Sequence, residues 1–272
     1  YKIVVSDALG IDQEDIRVSH GDTDILPFGG GSYASRTAIL GGSATIRAID
    51  KIIIKATEIA AHVLETASAD IEFKNGDFCV VGTDKKVSIQ DIARAAYNSQ
   101  TVPDGMELGL FATDTFVPKA PTFPNGCHTV EVEIDPETGV TQLVKYSVTD
   151  DVGTVINETT LDGQIHGGIG QGVGQVFSEH IQYDETGQLL TGSFLDYGMP
   201  RADDMCTFDL SNNPVPTKLN PLGAKGAGEA GNVGALAAIM NAIVDALSPL
   251  GTVSYTHLRA HETEAELVCR LL

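Results

Sequence analysis

The period of apolar and polar positions changes several times along the chain, and each change marks an element. Residues 1–9 read as the closing turns of a helix that stops at Gly10. Residues 16–20 (Ile-Arg-Val-Ser-His) alternate, which predicts a strand leading into a loop from Pro27 to Arg36. Past Gly41-Gly42, the apolar side chains of Ile46, Ile49, Ile53, Ala56, Ala60 and Val63 recur at helical spacing and predict a helix to about Glu65. Asn75-Gly76 divides residues 71–81 into a hairpin, because that dipeptide suits the two left-handed positions of a type I′ turn. Ser88-Ile-Gln-Asp91 resembles a capping box, with Asp in place of Glu or Gln, and opens a helix to about Tyr97. Residues 98–124 hold four prolines and no steady period, so a long loop is expected.

A second hairpin follows at residues 129–134 and 140–149, with Val130, Val132 and Ile134 set to face Val144, Tyr146 and Val148. It runs into Asp150-Asp151, read as solvated charges at a strand end because no further ligand lies nearby to make a metal site. Residues 161–175 hold six glycines. Each costs a helix about 1 kcal/mol relative to Ala, so a helix keeping them is expected to lie against another backbone or a flat ligand. Residues 183–187 form a turn, and residues 235–247 a buried helix ended by Pro249 and Gly251. The sum is a mixed α/β (α+β) class with hairpins, mixed sheets and packed helices.

Composition narrows the function. The 272 residues can bury a core, and 42% hydrophobic with 20% charged residues is ordinary for a soluble globular chain. A net charge of −20 argues against nucleic acid and anionic membrane surfaces as partners. No uninterrupted apolar run reaches membrane-helix length, so no transmembrane segment is expected. The opening Tyr1-Lys-Ile-Val-Val has neither an initiator Met nor a signal peptide and reads as a truncated start. Cys79, Cys127, Cys206 and Cys269 are scattered singly, which excludes a local iron–sulfur motif, fits a reducing cytoplasm, and suggests small buried apolar residues.

Three Gly-rich stretches carry the candidate chemistry. Asn220-Pro-Leu-Gly-Ala-Lys-Gly-Ala-Gly-Glu-Ala-Gly231 sets Lys225 and Glu229 among glycines and alanines just before a helix, so Glu229 would project from a nearly bare main chain. Such a loop also closes turns, and a first-turn Glu also complements a helix dipole. Its formal G-x-G-x-x-G (Gly226, Gly228, Gly231) is not read as a dinucleotide fingerprint, since Pro221 and Gly223 argue against a preceding strand. In residues 29–36 three glycines, Ser32 and Ser35 offer N–H groups and hydroxyls to an anion, without the G-K-[ST] ending of a Walker loop. That loop also serves to cap the helix after it. In residues 161–175, Gln164, His166, Gln171 and Gln175 could read a heterocycle, with His166 taken as a satisfied polar residue.

The first stretch resembles the C-terminal signature of the molybdenum hydroxylases, the xanthine dehydrogenase and aldehyde oxidase family, in which the matching glutamate is the active-site base beside molybdenum. The second is similar to Gly-x-Gly-Thr-Tyr-Gly-Ser-Arg-Ser of the carbon monoxide dehydrogenase branch, with Ser32 and Ala34 where Thr and Gly are expected. The third matches Gly-Gln-x-x-Gly-x-x-x-Gln-Gly-x-Gly, whose first Gln contacts the pterin. The resemblance implies that residues 1–251 are the C-terminal part of a molybdopterin-binding domain. It implies a molybdopterin cytosine dinucleotide with Mo, held by Gly31, Ser32, Tyr33, Ala34, Ser35, Arg36, Gln164, Gln171, Lys225 and Gly226. The Ala34 backbone and Glu229 would lie near the metal, with Glu229 catalytic.

The same resemblance implies oxidation of a small molecule (carbon monoxide, an aldehyde or an N-heterocycle) with oxygen from water; the alternative is a catalytically inactive structural relative or fragment without cofactor. Electrons would pass to an iron–sulfur small subunit and an FAD medium subunit in a cytoplasmic dimer of heterotrimers. The cysteine-bearing loop that distinguishes the branch is expected upstream of Tyr1. Residues 193–203 match a further family segment and are expected to pack beneath the site.

From about Thr252 the resemblance stops. Residues 253–263 (Val-Ser-Tyr-Thr-His-Leu-Arg-Ala-His-Glu-Thr) resemble translated sequencing-adapter read-through, which outweighs a zinc site of His257, His261, Glu262 and Cys269. Resequencing the source gene across Gly251 with independent primers is expected to replace these codons; their reappearance would make the tail native.

Overall fold

A computed structural model describes residues 1–26 and 29–250. Its chain divides into two units, Tyr1–Pro121 with Lys218–Ala224, and Thr122–Thr217 with the chain from Lys225 onward. The tail residues considered for a zinc site lie outside the described residues, as do Pro27 and Phe28.

In the first unit, helix α1 (Lys2–Leu9) ends at Gly10, whose φ of 64° lets its N–H cap Ser6. Only a glycine fits there, since a Cβ would lie 2.4 Å from the Asn75 carbonyl carbon. Helix α2 (Gly42–Val63) opens from a π-helical turn, Thr37–Gly41, and buries Ile49, Ala56, Ile59 and Ala60. The expected hairpin is β1 (Ile71–Lys74) against β2 (Asp77–Val80), with Asn75 at φ 50° and Gly76 at φ 85° as a type I′ turn demands. A third strand, β3 (Lys86–Ser88), adds to β2 and had no signal beyond its Val. Ser88 then caps α3 (Ile89–Ala95), accepting from the Asp91 N–H and donating to its carboxylate. Ala56, Ile59, Ala60, Phe78, Ile89, Ile92 and Ala96 form the core.

Residues 16–20 are not a strand. No neighbour among the described residues pairs with them, Ile16 alone of the five is buried, and the alternation reflects that anchoring contact. The long loop is as expected, and Asp114 pins it by pairing with Arg47 (3.2 Å) and Lys51 (2.9 Å) of α2.

In the second unit, β4 (Asn125–Ile134) pairs antiparallel with β5 (Thr141–Asp151), and β6 (Phe208–Asn212) adds to β5 in parallel. A bulge between Glu131 and Val132 shifts the register, so Leu143 opposes Val132 while Val144 turns out to solvent. The expected inward Val144 is therefore wrong by one residue, which is what an inserted residue does to a period-two pattern. Asp150 and Asp151 are not solvated. Asp150 is buried beside His128 (3.7 Å), whose Nδ1 shares a hydrogen bond of 2.6 Å with the Tyr146 hydroxyl. Burial pushes the Tyr146 phenol up, and the Asp150 charge adds to it.

Helices α4 (Glu158–Phe177) and α5 (Ala230–Leu247) cover the sheet. Their interface answers the glycine question, for a Cβ on Gly168 would lie 2.8 Å from the Asn232 nitrogen and one on Gly172 2.5 Å from Ala235 Cβ. From the other side, a Cβ on Gly231 would lie 2.4 Å from the Ile165 carbonyl oxygen. Burial of Ile165, Ile169, Ile239 and Ile243 drives the packing, at roughly 1.5–3 kcal/mol per side chain.

Helix α5 buries Gly231 and the stripe Ala235, Ile239, Ile243 and Leu247, and Val233 is 72% exposed, so it is less enclosed than its composition suggests. Residues Ala230–Leu250 are long and apolar enough to cross a membrane by composition, a property that Asn232, Asn241 and Asp245 hide from a run count. Its buried stripe packs on α4 and the sheet of this unit. Residues 193–203 pack only in part: Phe194 and Leu195 are 83% and 94% exposed, while Pro200 lies against Gly174 of α4 and the Tyr197 hydroxyl donates to Glu179. Cys79 and Cys206 are half-buried and Cys127 is exposed, so the cysteines are less enclosed than expected.

The two kinds of glycine in α4 predict opposite responses. Gly172→Val drives methyls into Ala235 and should lower stability by about 1–3 kcal/mol. Gly163, with open space around it, should gain about 0.5–1 kcal/mol on Gly163→Ala. Urea unfolding of both variants checks the pair; equal responses would contradict the packing.

Candidate functional site

The loop at residues 29–36 belongs to the first unit and is built on backbone conformations that favour glycine. Gly31 has φ 74°, and Ala34 and Ser35 follow at 50° and 54°. Two non-glycine residues in this region cost roughly 1–2 kcal/mol each. The Gly expected at position 34 is thus the residue that its backbone prefers. The Arg36 guanidinium lies 4.7 Å over the Tyr33 ring and donates to its hydroxyl at 2.6 Å. Gly30 makes room for it, since a Cβ there would lie 3.0 Å from Arg36 Nη2. Ser32 and Thr37 share a hydroxyl hydrogen bond of 2.5 Å, and Tyr1 donates to the Thr37 carbonyl, bracing the π turn. Residues 31–34 remain exposed.

The second unit places Gln164, Lys225, Gly226 and Glu229 around the first turn of α5. Gln164 projects from α4 and donates from Nε2 to the Gly228 carbonyl at 2.7 Å. Gln171, two turns further along α4, is exposed. Gly226 is buried. His166 donates from Nδ1 to the Asp162 carbonyl (2.7 Å) and lies beside Phe208, as a satisfied polar residue should. Glu229 is the N-terminal flanking residue of α5; its carboxylate is exposed and makes no hydrogen bond or ion pair among the described residues.

Lys225 behaves differently from a free cation. Its Nζ binds Asp151 Oδ2 at 2.5 Å with both side chains largely buried, and its N–H donates to the Val152 carbonyl. Asp151 Oδ1 accepts from the Gly153 and Val215 amides, each at 2.9 Å. Burial alone would push this carboxyl up; the Lys225 ammonium and the two amides outweigh it and hold it at about 2. Asp151 was discounted in sequence because its cation lies 74 positions away. Asn220 is the other missed residue, in the Lys218–Ala224 arm of the first unit: its buried amide bonds Ala224 through both N–H and carbonyl, closing the turn at Gly223.

The 29–36 loop of the first unit offers hydroxyls, a guanidinium and exposed backbone, a set that suits phosphates. The second unit by itself offers amides, a carboxylate without a partner among the described residues, and the bare α4 surface at Gly163 and Gly167, where nothing lies within 4 Å of a built Cβ, a set that suits a polar heterocycle.

Comparison with known proteins agrees. A model of the molybdopterin cofactor-binding domain matches residues 1–206. The chain is 40% identical over 254 residues to the nicotine 6-hydroxylase large subunit of Paenarthrobacter nicotinovorans, covering 93% of the chain and 31% of that protein. It is 36% identical over 247 residues to the carbon monoxide dehydrogenase large chain of Afipia carboxidovorans, covering 90% and 30%. Among solved structures it resembles the Cu,Mo-CO dehydrogenase (TM-score 0.88, 35% identity, 97% of this chain and 33% of that one). It also resembles quinoline 2-oxidoreductase from Pseudomonas putida 86 (TM-score 0.90, 33% identity, 99% and 34%). The chain spans about a third of the length of these relatives.

The depressed Asp151 carboxyl predicts a pH signature. Its stabilising contribution is fully present above about pH 4 and is lost as pH falls through about 2. Asp151→Asn should therefore lower stability at pH 7 by about 2 kcal/mol, with the difference from the parent closing between pH 4 and 2. Thermal melts of both proteins across that range check it; a gap that persists at pH 2 would contradict the assignment.

Proposed function

The chain belongs to the molybdopterin cofactor-binding domain family of the molybdenum hydroxylases, and on that premise we propose that it is part of the large subunit of a molybdenum-dependent hydroxylase whose base is Glu229. The bound group is proposed to be molybdopterin cytosine dinucleotide with Mo. Gly31, Ser32, Tyr33, Ala34, Ser35, Arg36, Gln164, Gln171, Lys225 and Gly226 are the residues proposed to hold it. The Ala34 backbone and Glu229 are placed near the metal. When bound, the group supplies oxygen transfer and storage of two electrons; the chain supplies geometry and a proton acceptor.

The observation that carries this reading is the state of Glu229. The loop around it is tied down at Lys225, Gly228 and Gly231, yet its own carboxylate has no partner among the described residues. A general base needs that combination, since a paired carboxylate must first break its bond and a loose one must first be oriented. Gln164 fixes the peptide preceding Glu229, and the glycines keep other side chains from competing for the proton at its Oε atoms.

The substrate is proposed to be a small molecule with an electron-poor carbon: carbon monoxide, an aldehyde or an N-heterocycle. Nicotine and quinoline in the names of two relatives favour the heterocycle. Electrons would leave to an iron–sulfur small subunit and an FAD medium subunit in a cytoplasmic dimer of heterotrimers. Residues 1–251 would form the family part of the chain, with 252–272 foreign to it.

Glu229→Gln in the full-length parent, assayed on a panel of these substrates, should cut turnover by about 10²–10⁴-fold while molybdenum content stays unchanged. Turnover at the parental rate would remove Glu229 as the base.

A further inference from the structure

We infer that Asp151, acting through Lys225, is a positioning residue that holds the Glu229 arm in its working place and keeps the Lys225 ammonium away from the base. The inference rests on Glu229 being that base.

Asp151 terminates β5 and is saturated. One oxygen takes the Lys225 ammonium; the other takes the amides of Gly153 and Val215, so a single carboxylate joins three separate segments of the unit. Lys225 is attached twice, through Nζ to Asp151 and through its N–H to Val152. At the far end of the arm, Gly228 is held by Gln164, and Gly231 sits against the Ile165 carbonyl of α4. Between the anchors at Lys225 and Gly228 lie Gly226 and Ala227, and a glycine has wide backbone conformational freedom. The sequence of the arm therefore cannot set the place of Glu229; the anchors do.

The charge argument is independent of the tether. An ammonium that is 13% exposed requires a carboxylate partner. Without Asp151, Glu229 is the nearest carboxylate in sequence, four residues on, with a carboxylate free of any described partner. A Lys225–Glu229 pair would occupy the group that must accept the proton. In this account Lys225 reaches the bound group through main chain, and its ammonium serves Asp151.

The test uses the full-length parent loaded with cofactor, as wild type, Asp151→Asn, Lys225→Met and the double variant. The expected result has three parts. Molybdenum content is unchanged in all four; kcat falls 10- to 100-fold in each single variant with KM within twofold; and the double variant loses no more than either single one, because the two residues act as a unit. Independently of turnover, amide hydrogen exchange in a peptide spanning residues 226–232 should speed at least tenfold in Asp151→Asn, with a peptide from α4 unchanged.

Loss of molybdenum or a raised KM in Lys225→Met alone would overturn the inference and make Lys225 a direct ligand contact. Unchanged exchange with unchanged kcat in Asp151→Asn would make the pair a bystander. If Asp151→Asn fails to fold, Asp151→Glu, which keeps the charge on a longer arm, carries the same comparison. Full turnover by Glu229→Gln would refute the base and leave the exchange measurement to judge the tether, so the two failures are distinguishable.

Discussion

The close approach of α4 and α5 is the constraint on which the rest of the second unit depends. Gly168, Gly172 and Gly231 remove the side chains that would hold the two backbones apart, and the isoleucines of both helices then close over the sheet. The contact is costly in intrinsic helix propensity and is sustained by apolar burial. Its consequence is positional. Gln164 on α4 comes within hydrogen-bond reach of Gly228, one residue before the N-terminal flank of α5, so the start of one helix is keyed to the other by a side-chain amide.

Electrostatics complete what packing begins. A chain of net charge −20 has many carboxylates in water, but Asp114, Asp150 and Asp151 are withdrawn from it, and each organises its surroundings. Asp114 gathers Arg47 and Lys51 and pins a long loop on α2. Asp151 gathers Lys225 and two amides. Asp150 lies beside a buried imidazole that Gly234 accommodates, a Cβ there falling 2.4 Å from the His128 ring. Against this background Glu229 differs, with its backbone fixed and its solvent-facing carboxylate without a partner among the described residues.

Much of this was legible in the residues. Asn75-Gly76 fixed a turn type because only certain residues accept positive φ, and the spacing of Ile49, Ala56 and Ala60 located α2 because burial follows a helical period. The glycines of α4 announced a close backbone approach, although not which partner would make it. What escaped was non-local. The bulge at Glu131/Val132 moved Val144 outward, β3 and β6 owe their existence to neighbours far away in sequence, and the carboxylate of Asp151 found its cation across 74 positions. Residues 16–20 failed in the converse way, with a strand-like pattern and no strand among the described residues to pair with. At the candidate site, the motif residues Gln164 and Glu229 were legible, while the pairing of Lys225 with Asp151 was not.

The most direct test of the account is the metal and nucleotide content of the full-length parent, matured in a host that makes the cofactor. The account predicts one molybdenum and one acid-releasable cytosine nucleotide per large chain. A properly matured parent that contains neither would contradict it, and Glu229 would then be a charge at the start of a helix.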